Sequence, residues 1–189
     1  MRSLFNFLLV FSLALGPVMS IGARTLDGVN IPETYKLDGK TLVLNGAGDR
    51  SKWFMDQYVA SLYLPEETTD ARAIINADEP QVLILHIVSD MITSERMKDA
   101  TMEGFRNSTD GDLSAIPEEV YTFLDVFSDE INKGDTFELA YLPGKGVRAS
   151  KNGKELATIG DLRFKKILFG IWLSDKPAQK DLKKELLGK

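Results

Sequence analysis

Apolar residues recur at strand spacing through most of residues 29–64, and at helical spacing through much of residues 93–131. Val29 to Leu37 reads as a short strand pair around Pro32, and Lys40 to Asn45 as a further strand. Gly46-Ala47-Gly48 then looks like a break. Trp53 to Leu64 reads as a long strand in which Phe54, Tyr58, Ala60, Leu62 and Leu64 share one parity and so one face. After a break at Pro65–Thr69 and a short helix over Asp70–Asn76, Gln81 to Val88 reads as an apolar, central strand. Thr93 or Ser94 caps a helix running to about Asn107, with Glu95 in its first turn. Pro117 opens a helix expected to run through Ile131.

The last third reads as a β-meander, with strands at Asp135–Tyr141, Gly146–Ser150 and Glu155–Ile159. Turns at residues 143–146 and 151–154 join them, the second with an Asn-Gly signature. An apolar helix over Leu162–Leu173 stops at Lys176-Pro177, and an amphipathic helix follows over Lys180–Leu187. Strands, central helices, a meander and terminal helices in that order predict an α+β fold, an antiparallel sheet with helices on one face.

Met1-Arg2, an apolar run from Leu4 to Leu15 and small residues near Ser20 have the form of a secretory signal peptide, cleaved after Ser20 or Ala23. The run is too short for a comfortable membrane span. One domain is expected over residues 24–189, large enough for a real core. The chain carries 23 Lys and Arg against 28 Asp and Glu, a net charge of −5. Such an acidic chain without basic clusters is a poor partner for nucleic acid or anionic membrane. Zero Cys excludes disulfides and thiolate chemistry, and with a single His it argues against a transition-metal site. No cofactor is expected, and export without cysteine suits a bacterial periplasm. Gly46 and Gly48 are not a dinucleotide fingerprint, because the sixth position is Ser51 and no helix follows.

Gly46-Ala47-Gly48-Asp49-Arg50, followed by a strand ending in Ser61-Leu62-Tyr63-Leu64, resembles the chalcone isomerase superfamily. Tyr141-Leu142-Pro143-Gly144-Lys145-Gly146, Asn152-Gly153-Lys154 and Ile171 to Pro177 are similar to bacterial, signal-bearing chalcone-isomerase-like proteins. The resemblance implies an open-faced β-sandwich, a large antiparallel sheet with helices packed on one face. It also implies that Arg50 stands where the plant enzymes hold the nucleophilic phenolate. The family's strand Thr falls at Tyr58, its helix Tyr near Met97, its Asn near Gly104 and its late Ser or Thr at Ile171. Losing those polar groups removes much of the positioning that cyclisation needs.

What remains looks like the fatty-acid-binding branch of that family, in which an Arg and a Tyr hold a carboxylate over an apolar cavity. Guanidinium offers a planar, bidentate fork to a carboxylate, and a phenol adds one donor. Arg50 and Tyr58 are therefore the candidate head-group residues, and Met97, Ile171 and Trp172 the candidate apolar wall. Eight extended residues span roughly 26 Å, so the reading requires a turn or bulge within Gly48–Trp53 that folds Arg50 back. On the residues alone, Arg50 also reads as a strand-end arginine paired with a surface acid, and Tyr58 as a core aromatic with a satisfied hydroxyl. The expected function is a non-catalytic periplasmic binder of a fatty acid or similar amphiphilic carboxylate. Two alternatives stand beside it: an intramolecular lyase of chalcone isomerase type acting on a phenolic or enone substrate, with Arg50 its catalytic residue, and a structural or partner-binding role in the envelope.

Overall fold

The computed structural model describes residues 23–52 and 55–189. The expected leader lies, but for Ala23, outside the described residues, as does Phe54. Strands β1 (Ala23–Leu26) and β2 (Val29–Pro32) form a two-stranded antiparallel ribbon, and β3 (Thr34–Leu37) pairs instead with β4 (Lys40–Lys52). The strand pair expected around Pro32 is thus two strands of two different hairpins. Each hairpin closes through an Asp-Gly turn, Asp27-Gly28 and Asp38-Gly39, in which both residues take positive φ. That is the backbone a tight hairpin turn demands, and Asp-Gly supplies it at low cost.

Strands β5 (Met55–Leu64), β6 (Gln81–Ile87), β7 (Thr136–Leu142), β8 (Gly146–Lys151) and β9 (Lys154–Ile159) continue a seven-stranded antiparallel sheet, ordered β3-β4-β5-β6-β7-β8-β9. The helices are α1 (Ala71–Asn76), α2 (Ser94–Ser108), α3 (Pro117–Asp125), α4 (Leu162–Leu173) and α5 (Lys180–Leu186). One sheet face, with Tyr58, Ala60, Leu62, Leu83, Leu85 and Leu139, packs on the helices through Phe105, Phe123 and Phe164. Each such buried aromatic or aliphatic side chain contributes about 1.5–3 kcal/mol. The other face builds a smaller core in which Val59, Tyr63, Val82 and Ile84 meet Ile31 of the β1–β2 ribbon. The sheet with helices on one face is the architecture expected from the element order.

Two elements differ from expectation. Helix α3 ends at Asp125 rather than continuing to Ile131. Val126, Phe127 and Ser128 donate to carbonyls three residues back, so the helix tightens into successive turns that deliver Val126 and Phe127 to the core. Gly46-Ala47-Gly48 is not a break: β4 runs through it to Lys52. A Cβ on Gly46 would lie on the Glu185 carbonyl and within 2.7 Å of Leu186 backbone, and one on Gly48 would overlap the Glu185 side chain. The glycines are there because α5 lies directly on the strand. Between Leu44 and Gly46 the register shifts, and the side chain of Asn45 donates to Leu186 O at 2.7 Å.

Helix α4 is pinned through its first turn by Lys165, which is fully buried. Its ammonium donates to the carbonyls of Ile74 (2.7 Å), Ile75 (3.1 Å) and Ala77 (3.0 Å) at the end of α1. Burial lowers its pKa to about 8, yet three acceptors call for three N–H donors, so the site is built for the protonated form.

Gly46→Ala is expected to destabilise the protein by about 3 kcal/mol, because the backbone of α5 cannot yield as a side chain can. Gly48→Ala, which meets the flexible Glu185 side chain, is expected to cost less. Urea unfolding of both variants measures the difference.

Candidate functional site

Strands β4 and β5 pair so that Arg50 and Tyr58 are direct Cα partners. Directly opposed residues on antiparallel strands point to the same face, so eight residues of sequence separation become one cross-strand contact. The chain folds back beyond Lys52, and a register shift lies between Arg50 and Ser51, within the window where a bulge or turn was required. The shared face is the helix-bearing one, since Tyr58 belongs to the core beneath α2 and α4.

Tyr58 is 7% exposed and Trp172 6% exposed. The Trp172 indole N–H donates to the Tyr58 hydroxyl oxygen at 3.0 Å. Burial raises the pKa of the Tyr58 phenol, against the pull of the Trp172 N–H and the Arg50 guanidinium beside it. The hydroxyl therefore keeps its proton at any ordinary pH, and among the described residues that proton has no acceptor. Arg50 is half-buried. Its Nη1 donates to Ser51 O and to Gln179 Oε1, both at 3.0 Å.

These groups stand in the wall of a cavity of about 620 Å³. Leu85 and Tyr58 of the sheet line it together with Met97 of α2 and Ile171 and Trp172 of α4. Its size is that of a small-molecule site. The structure brings together all five residues singled out in the sequence: Arg50, Tyr58, Met97, Ile171 and Trp172. Gly104 lines the cavity too, and a Cβ there would press within 2.7 Å of Ile171, so it sets how closely α2 and α4 approach. Arg96, Asp99 and Glu103 of α2 are exposed residues at the rim.

The chalcone isomerase-like family model matches residues 23–188. The chain belongs to the chalcone isomerase-like family. Among solved structures, the family fold is shared with a fatty-acid binding protein of Arabidopsis thaliana. That likeness has a TM-score of 0.68 at 14% identity and covers 88% of this chain and 96% of that one. No curated protein matches in sequence.

Within this family member, sequence reasoning missed two polar contacts. Trp172 was read as apolar wall, whereas its N–H is what satisfies Tyr58. Gln179 was not singled out at all. The signal available was its type: it precedes the last helix, where Ser, Thr, Asp or Asn is the usual cap. His86 is a strand residue, as expected, with Nδ1 3.3 Å from Thr136 Oγ1 and a pKa lowered by burial. Among the described residues no three His, Cys, Asp or Glu side chains converge on a metal-sized site, and no helix is long and apolar enough to cross a membrane.

Because the folded-state pKa of Tyr58 is raised, its contribution to stability is complete below the ordinary value of 10.0 and is lost as pH climbs above it. Spectrophotometric titration of the wild type minus Tyr58→Phe is expected to place the Tyr58 ionisation above 10.0. An ionisation at or below that value would show an open, hydrated phenol.

Proposed function

We propose that this protein is an exported, periplasmic, non-catalytic binder of a fatty acid or a similar amphiphilic carboxylate. Arg50 and Tyr58 hold the head group, and Met97, Ile171 and Trp172 flank the chain. The observation that carries the reading is the cross-strand pairing of Arg50 with Tyr58 in the wall of a largely apolar cavity.

The chemistry follows from the donors. Nη1 of Arg50 is engaged by Ser51 O and Gln179 Oε1 and the guanidinium lies beside the Tyr58 hydroxyl, while Nε and Nη2 together form a fork that fits the two oxygens of a carboxylate. The protonated Tyr58 hydroxyl, already accepting from Trp172, supplies a further donor. Half-burial raises the worth of these charge-assisted bonds over their value in water. Met97 gives the wall an adaptable surface for a flexible alkyl chain. That the Arabidopsis protein of like fold is a fatty-acid binding protein supports the reading.

Titration of the mature protein with dodecanoate and hexadecanoate tests it. Saturable binding is expected, weakened about 10- to 100-fold in Arg50→Ala, the range for losing a charge-assisted hydrogen-bonded pair. Equal binding by both proteins would remove Arg50 from the head-group role.

A further inference from the structure

The amide of Gln179 makes three contacts, all directed at the neighbourhood of Arg50. Its Oε1 accepts from Arg50 Nη1 at 3.0 Å and from the Ser51 backbone N–H, also at 3.0 Å. Its Nε2 donates to Asp49 O at 3.3 Å. Ser51 lies beside the register shift between Arg50 and Ser51, on a stretch of β4 that β3, paired only up to Val43, does not cover. One side chain from the start of α5 therefore closes the bulge and grips the guanidinium.

Gln179 occupies the N-cap of α5 yet makes no capping hydrogen bond. A cap is ordinarily where a side chain satisfies the helix's free N–H groups, and Asp, Asn, Ser or Thr does so best. Here the side chain is committed to β4 instead, and the residue is an amide rather than a carboxylate. The difference has an electrostatic consequence. A carboxylate at 179 would offer Arg50 the same acceptor oxygen but would neutralise its charge, leaving little attraction for a second anion.

We infer that Gln179 is the positioning residue of the anion site. By occupying Nη1 together with Ser51 O, it sets which edge of the Arg50 guanidinium is offered to a ligand. As a neutral acceptor it leaves the positive charge for that ligand. This rests on the head-group reading of Arg50, and it adds that the selectivity of the site for a carboxylate over a neutral amphiphile is set from α5.

The test compares the wild type, Gln179→Leu and Gln179→Glu in binding to dodecanoate and to dodecanol, which share a chain and differ in head-group charge. Gln179→Glu is expected to weaken dodecanoate by more than about tenfold and Gln179→Leu by a few-fold, with dodecanol held within about twofold in both. Parallel losses for the two ligands would make Gln179 a merely structural residue and overturn the inference, as would unchanged dodecanoate binding in both variants. A ligand-free readout separates the two readings. In the wild type the Arg50 Nη1 and Nη2 hydrogens are expected as distinct nitrogen-correlated NMR signals, averaged in Gln179→Leu by freed rotation. Distinct signals in a wild type that binds no dodecanoate would uphold the positioning and sink the head-group reading. Averaged signals in the wild type would overturn the positioning itself.

Discussion

Helix α5 can lie against strand β4 only because residues 46 and 48 carry no side chains, and the arrangement of the site depends on that contact. Any Cβ at Gly46 would intrude on the helix backbone at Glu185 and Leu186. Once the helix is down, Asn45 ties its far end through Leu186 O, and its near end delivers Gln179 to Arg50. A helix of seven residues has little stability of its own. It is held by what it packs on, so the same contact that orients Arg50 also keeps the helix formed. Glycine weakens a strand by roughly 0.5–1 kcal/mol relative to alanine; here the loss is offset by burying Leu182 and Leu186.

The second constraint is electrostatic. A buried phenol and a half-buried guanidinium lie side by side, and each must have its polar atoms met or reserved. Trp172 meets the Tyr58 oxygen, and Gln179 and Ser51 O meet Nη1. Among the described residues these side-chain partners, Trp172 and Gln179, are both neutral, so neither pair cancels charge. The result is a positive edge and a free O–H in the wall of a cavity where Leu85, Met97, Phe127 and Ile171 are apolar and Arg96, Asp99 and Glu103 stand at the rim. An anion binding there, as proposed, would exchange water for preformed donors with little reorganisation of the protein.

How much of this could be read from the chain varies with the kind of information each feature needs. The single-face parity of Tyr58, Ala60, Leu62 and Leu64 was legible, because a strand's alternation is a local property. So was the capped start of α2, where Thr93 Oγ1 accepts from Arg96 N at 3.2 Å. The glycines at 46 and 48 were legible as special but not as strand. Glycine inside a strand and glycine in a break look alike until the approaching α5 is known, and that lies about 140 residues away in sequence. The same remoteness hid Gln179. The Asp-Gly turns at residues 27–28 and 38–39 are a local signal that the apolar run around Pro32 masks. The pattern makes helix α3 too long because apolar residues continue past Asp125, and pattern alone does not separate a helix from the tight turns that follow it.

The apolar side chains of the wall bear on what the cavity can take up. Protein interiors are close-packed, and a sheet and two helices lined by Met97, Ile171 and Trp172 would ordinarily close on one another. Here α2 and α4 meet tightly at Gly104 and Ile171, and beside that contact a volume of about 620 Å³ stays open. Its lining exposes apolar surface that folding alone leaves wet. The protein thus carries stabilisation that a ligand of matching shape can supply, since anything bound to the folded state alone shifts the unfolding equilibrium in its favour. On the proposed reading the apolar wall and Arg50 belong together: the first would favour a hydrocarbon chain, and the second would give that chain a single orientation.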